Sequence, residues 1–185
     1  MIVNLRGTHS SGKSTLIKNL LAKFDPKPIF GVIGPRQPEA YECVRKKGKP
    51  LYVLGPYYGV PTSGCDVIST GGLDTIIYLV DKYRQKGNVL YEGIILSNNY
   101  GSVGEYLFTQ IKDVIIAFLD TPLEVCLEGL AARQLTSIRQ GKSDTHLREH
   151  YKRILRVRVK MEELGFRCET VSRDTAAEKI VSWLV

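Results

Sequence analysis

The chain has 185 residues, of which 43% are hydrophobic and 24% charged, and its formal net charge is +7. That composition supports one globular domain, residues 1–185, with enough apolar content for a core, and excludes a disordered chain or a large mechanical apparatus. No apolar run approaches the ~18 residues that span a bilayer, so no membrane is expected, and the positive balance suggests a polyanionic partner.

The first element is a short apolar strand, Ile2-Val3-Asn4-Leu5, expected over residues 2–6. A chain that enters a core strand at once is expected to have no signal peptide. Residues Gly7 to Ser14 follow, Gly-Thr-His-Ser-Ser-Gly-Lys-Ser, and fit the phosphate-binding pattern G-x-x-x-x-G-K-S/T. Leu16, Ile17, Leu20 and Leu21 then give the apolar face of a helix expected over 13–24. In such a strand, loop and helix, glycines let the backbone turn its N–H groups toward phosphate oxygens, and the helix N-terminus adds partial positive charge. Gly7, Ser10, Ser11, Gly12, Lys13, Ser14 and Thr15 are therefore the expected nucleotide cradle. Lys13 would reach the β- and γ-phosphates of ATP, and the Ser14 hydroxyl would ligate Mg²⁺. His9 lies at a variable position that presents backbone, and receives no catalytic role.

Strands are expected next at 29–33 and 51–54, with Arg36 between them. The stretch from Gly55 to Gly72 breaks the rhythm as a long loop, and loops of that length in a compact domain are usually functional. It holds Tyr57 and Tyr58, which with Arg36 could stack on or bind a base or simply pack the loop down. It also holds Asp66, on a glycine-flanked segment where a carboxylate could deprotonate an attacking hydroxyl. Asp74, the second candidate for binding the acceptor or acting as the base, follows at the start of a helix expected over 73–86, where aspartate is often merely a cap. The strand expected at 88–92 ends in Glu92, which could hold Mg²⁺ through water; the alternative is a strand-end glutamate that caps a helix or pairs with a lysine.

Val114-Ile115-Ile116-Ala117-Phe118-Leu119 is the clearest strand, apolar throughout and suited to burial on both faces. Asp120-Thr121-Pro122 then gives a helix start signal. The helix expected over 122–139 carries Arg133 and Arg139, cations suited to a mobile lid at about 129–150 that folds over the nucleotide. A helix over 145–164 bears the basic run Arg148, Lys152, Arg153, Arg156, Arg158 and Lys160, either solvated charge or a nucleic-acid contact. A strand at 167–171 and a helix at 174–184, opened by Asp174, close the chain. Cys43, Cys65, Cys126 and Cys168 form no C-x-x-C pair, so they read as reduced thiols of a cytoplasmic protein.

Alternating strands and helices predict a three-layer α/β P-loop fold, about five parallel strands between helices. The phosphate loop, the segment Leu119-Asp120-Thr121-Pro122-Leu123 leading into an arginine-bearing lid, and the closing Val171-Ser172-Arg173-Asp174 resemble the small P-loop kinases of nucleosides, nucleotides and polynucleotides. The resemblance implies that Arg133 and Arg173 flank the adenine of ATP. Gly55-Pro56-Tyr57, Gly64-Cys65-Asp66 and Leu90-Tyr91-Glu92-Gly93 look like bacteriophage kinases that phosphorylate 5-hydroxymethyluracil already in DNA. Such a kinase would work in the host-cell cytoplasm. These kinases usually carry an arginine where this chain has Gly129, so Arg133 or Arg139 would have to replace it. Three functions remain open from the sequence: phosphorylation of a modified pyrimidine in DNA, phosphorylation of a free nucleoside or nucleoside monophosphate, and an NTP-driven switch.

Overall fold

The computed structural model describes residues 1–59, 63–93, 97, 110, 111, 113–136 and 144–184. Its centre is β1 (Ile2–Arg6), hydrogen-bonded on one side to β5 (Asn88–Glu92) and on the other to β6 (Val114–Asp120), all parallel. The register sets Val3 between Leu90 and Ile115. These three strands are almost wholly buried, which is why they read as continuous apolar runs. β4 (Leu51–Leu54) extends the parallel set beyond β5, and β7 (Arg167–Ser172) extends it beyond β6. Five parallel strands are thus in place, as the pattern predicts.

The sheet has seven strands, however, in the order β2-β3-β4-β5-β1-β6-β7. β2 (Lys27–Ile29) and β3 (Ala40–Cys43) add an antiparallel extension against β4. The strand expected at 29–33 ends early because Gly34 N–H bonds back to Gly31 O at 3.0 Å and turns the chain. β3 goes unpredicted because Ala-Tyr-Glu-Cys has no β-branched residue and only four positions.

Side chains alternate between two helical layers. Ile2, Val89, Tyr91, Ile116 and Phe118 pack under α2 (Gly72–Arg84) and α4 (Asp144–Glu163). Val3, Leu5, Leu90, Ala117 and Val171 pack under α1 (Lys13–Leu21) and α5 (Ala176–Leu184). α3 (Leu123–Thr136) contributes Cys126 and Leu130 to a smaller cluster with Leu147 of α4.

Three boundaries differ from expectation for local reasons. Residues Cys65–Gly71 form a 3₁₀ helix running directly into α2, so the loop after β4 is shorter than its composition implies. Asp174 does not cap α5. Thr175 does: its carbonyl accepts Lys179 N–H at 3.0 Å, and its own N–H reaches Ser172 Oγ at 3.3 Å. Asp74 is the third residue of α2, past the cap position, where its charge suits the helix N-terminus. The middle of the expected lid, 137–143 with Arg139, lies outside the described residues. All four cysteines are free, and burial pushes the Cys43 thiol up to about 12 and Cys168 to about 11. Among the described residues no helix is long and apolar enough to cross a membrane.

The antiparallel extension is fastened by Glu39, a fully buried carboxylate. It accepts bonds from Lys82 Nζ at 2.5 Å, Tyr83 Oη at 2.6 Å and Val32 N–H at 2.6 Å. Burial alone would raise its pKa, but these donors outweigh that cost and hold it below the ordinary glutamate value. Glu39→Gln should therefore destabilise the fold by about 2 kcal/mol at neutral pH. The wild-type advantage is complete above the unfolded pKa of about 4.3 and is lost as pH falls through the lower folded value. Denaturant melts at pH 7 and pH 3 check this, since an equal gap at both pH values contradicts it.

Candidate active site

The phosphate loop sits where β1 leaves the C-terminal edge of the parallel strands and the chain turns into α1. Gly12 takes φ 98° at the helix N-cap, a left-handed conformation open to glycine, and Ser10 takes φ 58° beside it. Lys13 is buried, and its ammonium donates to Gly7 O and Thr8 O, both at 2.8 Å. The loop's own carbonyls thereby hold the cation against the cradle. Thr8 Oγ1, Ser10 Oγ and Ser11 Oγ are buried with no hydrogen-bond partner among the described residues. Buried hydroxyls are normally satisfied, so three orphans in one loop fit a ligand rich in acceptor oxygens, as a triphosphate is.

Neighbouring strand ends fix the loop's shape. Thr121 Oγ1 donates to Ser11 O at 2.9 Å, so the residue expected only as part of a helix start holds the loop from β6. Ser97 Oγ accepts Gly7 N–H at 3.4 Å and donates to Gly93 O at 2.6 Å, tying the loop to the end of β5. Just below the loop, Arg6 is fully buried, with Nε donating to Asn4 Oδ1 at 2.6 Å. Burial lowers its pKa to about 10, which leaves a fixed cation at neutral pH. No sequence pattern marked Ser97 or Arg6.

Glu92 ends β5 fully buried and accepts Ser14 Oγ–H at 2.8 Å. A hydroxyl and a carboxylate oxygen side by side are the donor type Mg²⁺ selects, so these residues fit the metal the motif implies. Gly64, at φ 82°, lies so close that a Cβ there would overlap the Glu92 carboxylate. Asp66 is half-buried on the 3₁₀ segment just beyond. Burial, with Glu92 and Asp66 as negative neighbours, raises both the Tyr57 phenol and the Cys65 thiol well above their ordinary values. Glu92 and Asp66 thus both lie within electrostatic reach of Tyr57 and Cys65.

The other candidate residues divide. Tyr57 is 1% exposed and packs the loop down, so its ring cannot stack on a base in this arrangement. Tyr58 is 46% exposed and presents a face, edge-on to Tyr41 at 5.7 Å. Arg36 is exposed on the segment entering β3, and Asp74 is exposed in the first turn of α2. On the opposite side of the loop, a cleft of about 460 Å³ is lined by Gly12, Thr15, Asn19, Pro122, Arg173 and Asp174. The Arg173 Nε lies 3.5 Å from where a Gly12 Cβ would stand. Arg133 is carried by α3, but its side chain lies outside the described atoms. Gly129 lets α3 approach the loop, since a Cβ there would meet Ser10 Cβ at 3.3 Å.

A mostly parallel sheet with this loop after its central strand, and a carboxylate at the end of the adjacent strand, defines a P-loop nucleotide-binding domain. No family model matches the chain. It is 31% identical to a 5-hmdU DNA kinase of Pseudomonas phage PaMx11 over 182 residues, 97% of this chain and 94% of that one. It is 30% identical to a 5-hmdU DNA kinase of Pseudomonas phage M6 over 185 residues, 96% and 94% of the two chains. The chain belongs to this family of 5-hmdU DNA kinases and is an enzyme of the kinase class. Among solved structures, a chain of the PezAT toxin–antitoxin system of Streptococcus pneumoniae shares the fold at TM-score 0.53 and 17% identity, over 94% of this chain and 68% of that one.

Gly64→Ala places a side chain at positive φ and against the Glu92 carboxylate. It should lower stability by about 1–3 kcal/mol and reduce turnover at least tenfold by displacing Glu92 from Ser14. Thermal melts and steady-state kinetics read both effects; an unchanged melting temperature with full activity contradicts this packing.

Proposed function

We propose that the protein transfers the γ-phosphoryl group of ATP to the hydroxymethyl oxygen of 5-hydroxymethyluracil in phage DNA, as one step of base hypermodification. The near-full-length identity to two 5-hmdU DNA kinases carries the choice of acceptor. The orphan hydroxyls of the loop and the pairing of Ser14 with Glu92 support the chemistry.

In this reading the loop N–H groups, Thr8, Ser10 and Ser11 bind the phosphates, and Lys13 shifts from its carbonyl partners onto the β- and γ-oxygens. Mg²⁺, held by Ser14 and through water by Glu92, would neutralise charge on the phosphate oxygens. Asp66 orients the acceptor hydroxyl and takes its proton while the oxygen bonds to the γ-phosphorus and the bond to the β-phosphate oxygen breaks, releasing ADP. Arg133 and Arg139 bring positive charge from the lid, and Arg173 borders the adenine in the cleft beside Gly12. Tyr58 and Arg36 are the exposed groups left to meet the base and its strand.

The charge distribution supports a polymeric acceptor. On α4, Lys152 and Arg158 pair with Glu149 and Glu162 of the same helix. Arg148, Arg153 and Arg156 are exposed with no acidic partner among the described residues. Three such cations along one helix suit phosphate contacts to DNA.

Lys13→Ala should cut phosphate transfer to DNA containing 5-hmdU by about 10²-fold or more, with the fold intact. Asp66→Asn should lower kcat while leaving KM for ATP near wild type, and Asp74→Asn should change neither. Full activity of the Lys13 variant contradicts the mechanism; a kcat loss confined to the Asp74 variant transfers the base role to that residue.

A further inference from the structure

The chain contains three histidines, and the fold gathers all of them. His9 projects from the phosphate loop, while His146 and His150 lie one helical turn apart on the same face of α4. The His9 and His150 rings are 4.7 Å apart between centroids, as are His146 and His150, and His9 and His146 are 6.0 Å apart. One ring nitrogen from each lies within 4.8 Å of those of the other two. His150 is buried, His9 half-buried and His146 exposed, so the group has a protein wall on one side and a path to solvent on the other. Phosphoryl transfer as described above makes no use of these imidazoles.

We propose that His9, His146 and His150 form a binding site for a divalent transition metal of the zinc type, which fastens α4 to the phosphate loop. Imidazole nitrogen is a preferred ligand for Zn²⁺, Cu²⁺ and Ni²⁺, whereas Mg²⁺ takes oxygen. The site is therefore chemically distinct from the one at Ser14 and Glu92. Zn–N bonds of about 2.0–2.1 Å in a tetrahedron require nitrogens about 3.3 Å apart. Reaching that separation from 4.8 Å or less is a matter of small side-chain rotations, two of them on a single rigid helix. Three protein ligands leave a fourth position for water. Because His9 belongs to the loop and α4 carries the far arm of the lid region, metal binding would hold that arm against the cradle.

The test uses the full chain without a polyhistidine tag, and no ATP or DNA, so its result is independent of the acceptor reading. Zn²⁺ is titrated against a chromophoric chelator in millimolar Mg²⁺, and Co²⁺ absorption is recorded in parallel. One Zn²⁺ per chain should bind despite the Mg²⁺, and Zn²⁺ should raise the melting temperature. His146→Gln and His150→Gln should each weaken binding at least tenfold, and the gain in melting temperature that Zn²⁺ gives each variant over its own melting in EDTA should shrink. The absence of saturable Zn²⁺ binding, or binding of wild-type strength in both variants, overturns the proposal.

Discussion

The site depends on the confinement of the phosphate loop between the ends of two strands. A loop whose Thr8, Ser10 and Ser11 hydroxyls have no partner among the described residues depends on neighbouring elements to hold its shape. Here Thr121 from the end of β6 and Ser97 from beyond β5 hold Ser11 and Gly7, and Ser14 is fixed by Glu92. Lys13, bonded to two loop carbonyls, keeps its charge within the cradle at little rearrangement cost. Because β1 lies between β5 and β6, one short run of sequence brings all these partners to one edge of the sheet.

A second constraint is the close backbone approach at Gly64. Its missing side chain lets the segment leading to Asp66 lie directly on Glu92, the carboxylate that holds Ser14. The cleft beside Arg173 opens on the other flank of the loop. In the mechanism proposed above, nucleotide and acceptor approach the γ-phosphate position from these two sides, as direct transfer between them requires.

Much of this was legible in the sequence, for identifiable reasons. The phosphate loop is a contiguous pattern, and Glu92 ends an apolar run that could only be a buried strand. The four parallel strands β1, β4, β5 and β6 declared themselves because both faces are covered. Side-chain exposure was not readable in the same way. Tyr57 and Tyr58 are adjacent and alike in sequence, yet one is in the core and the other faces solvent. The antiparallel strands β2 and β3 are short, and their anchor Glu39 is a buried charge whose donors Lys82 and Tyr83 lie more than forty positions away. The histidine cluster was hidden for the same reason, since His9 and the His146 and His150 pair meet only once α4 is laid across the loop.

The acceptor is the central claim, and a competition experiment addresses it most directly. Labelled γ-phosphate from ATP would be offered with Mg²⁺ to an equimolar mixture of DNA containing 5-hmdU, the same DNA with thymidine, and free 5-hmdU nucleoside, and the products separated. The account predicts label on the modified DNA alone, released as a phosphorylated 5-hydroxymethyl nucleoside on digestion. Label on the free nucleoside with none on the DNA would contradict it and assign the site to a small-molecule acceptor.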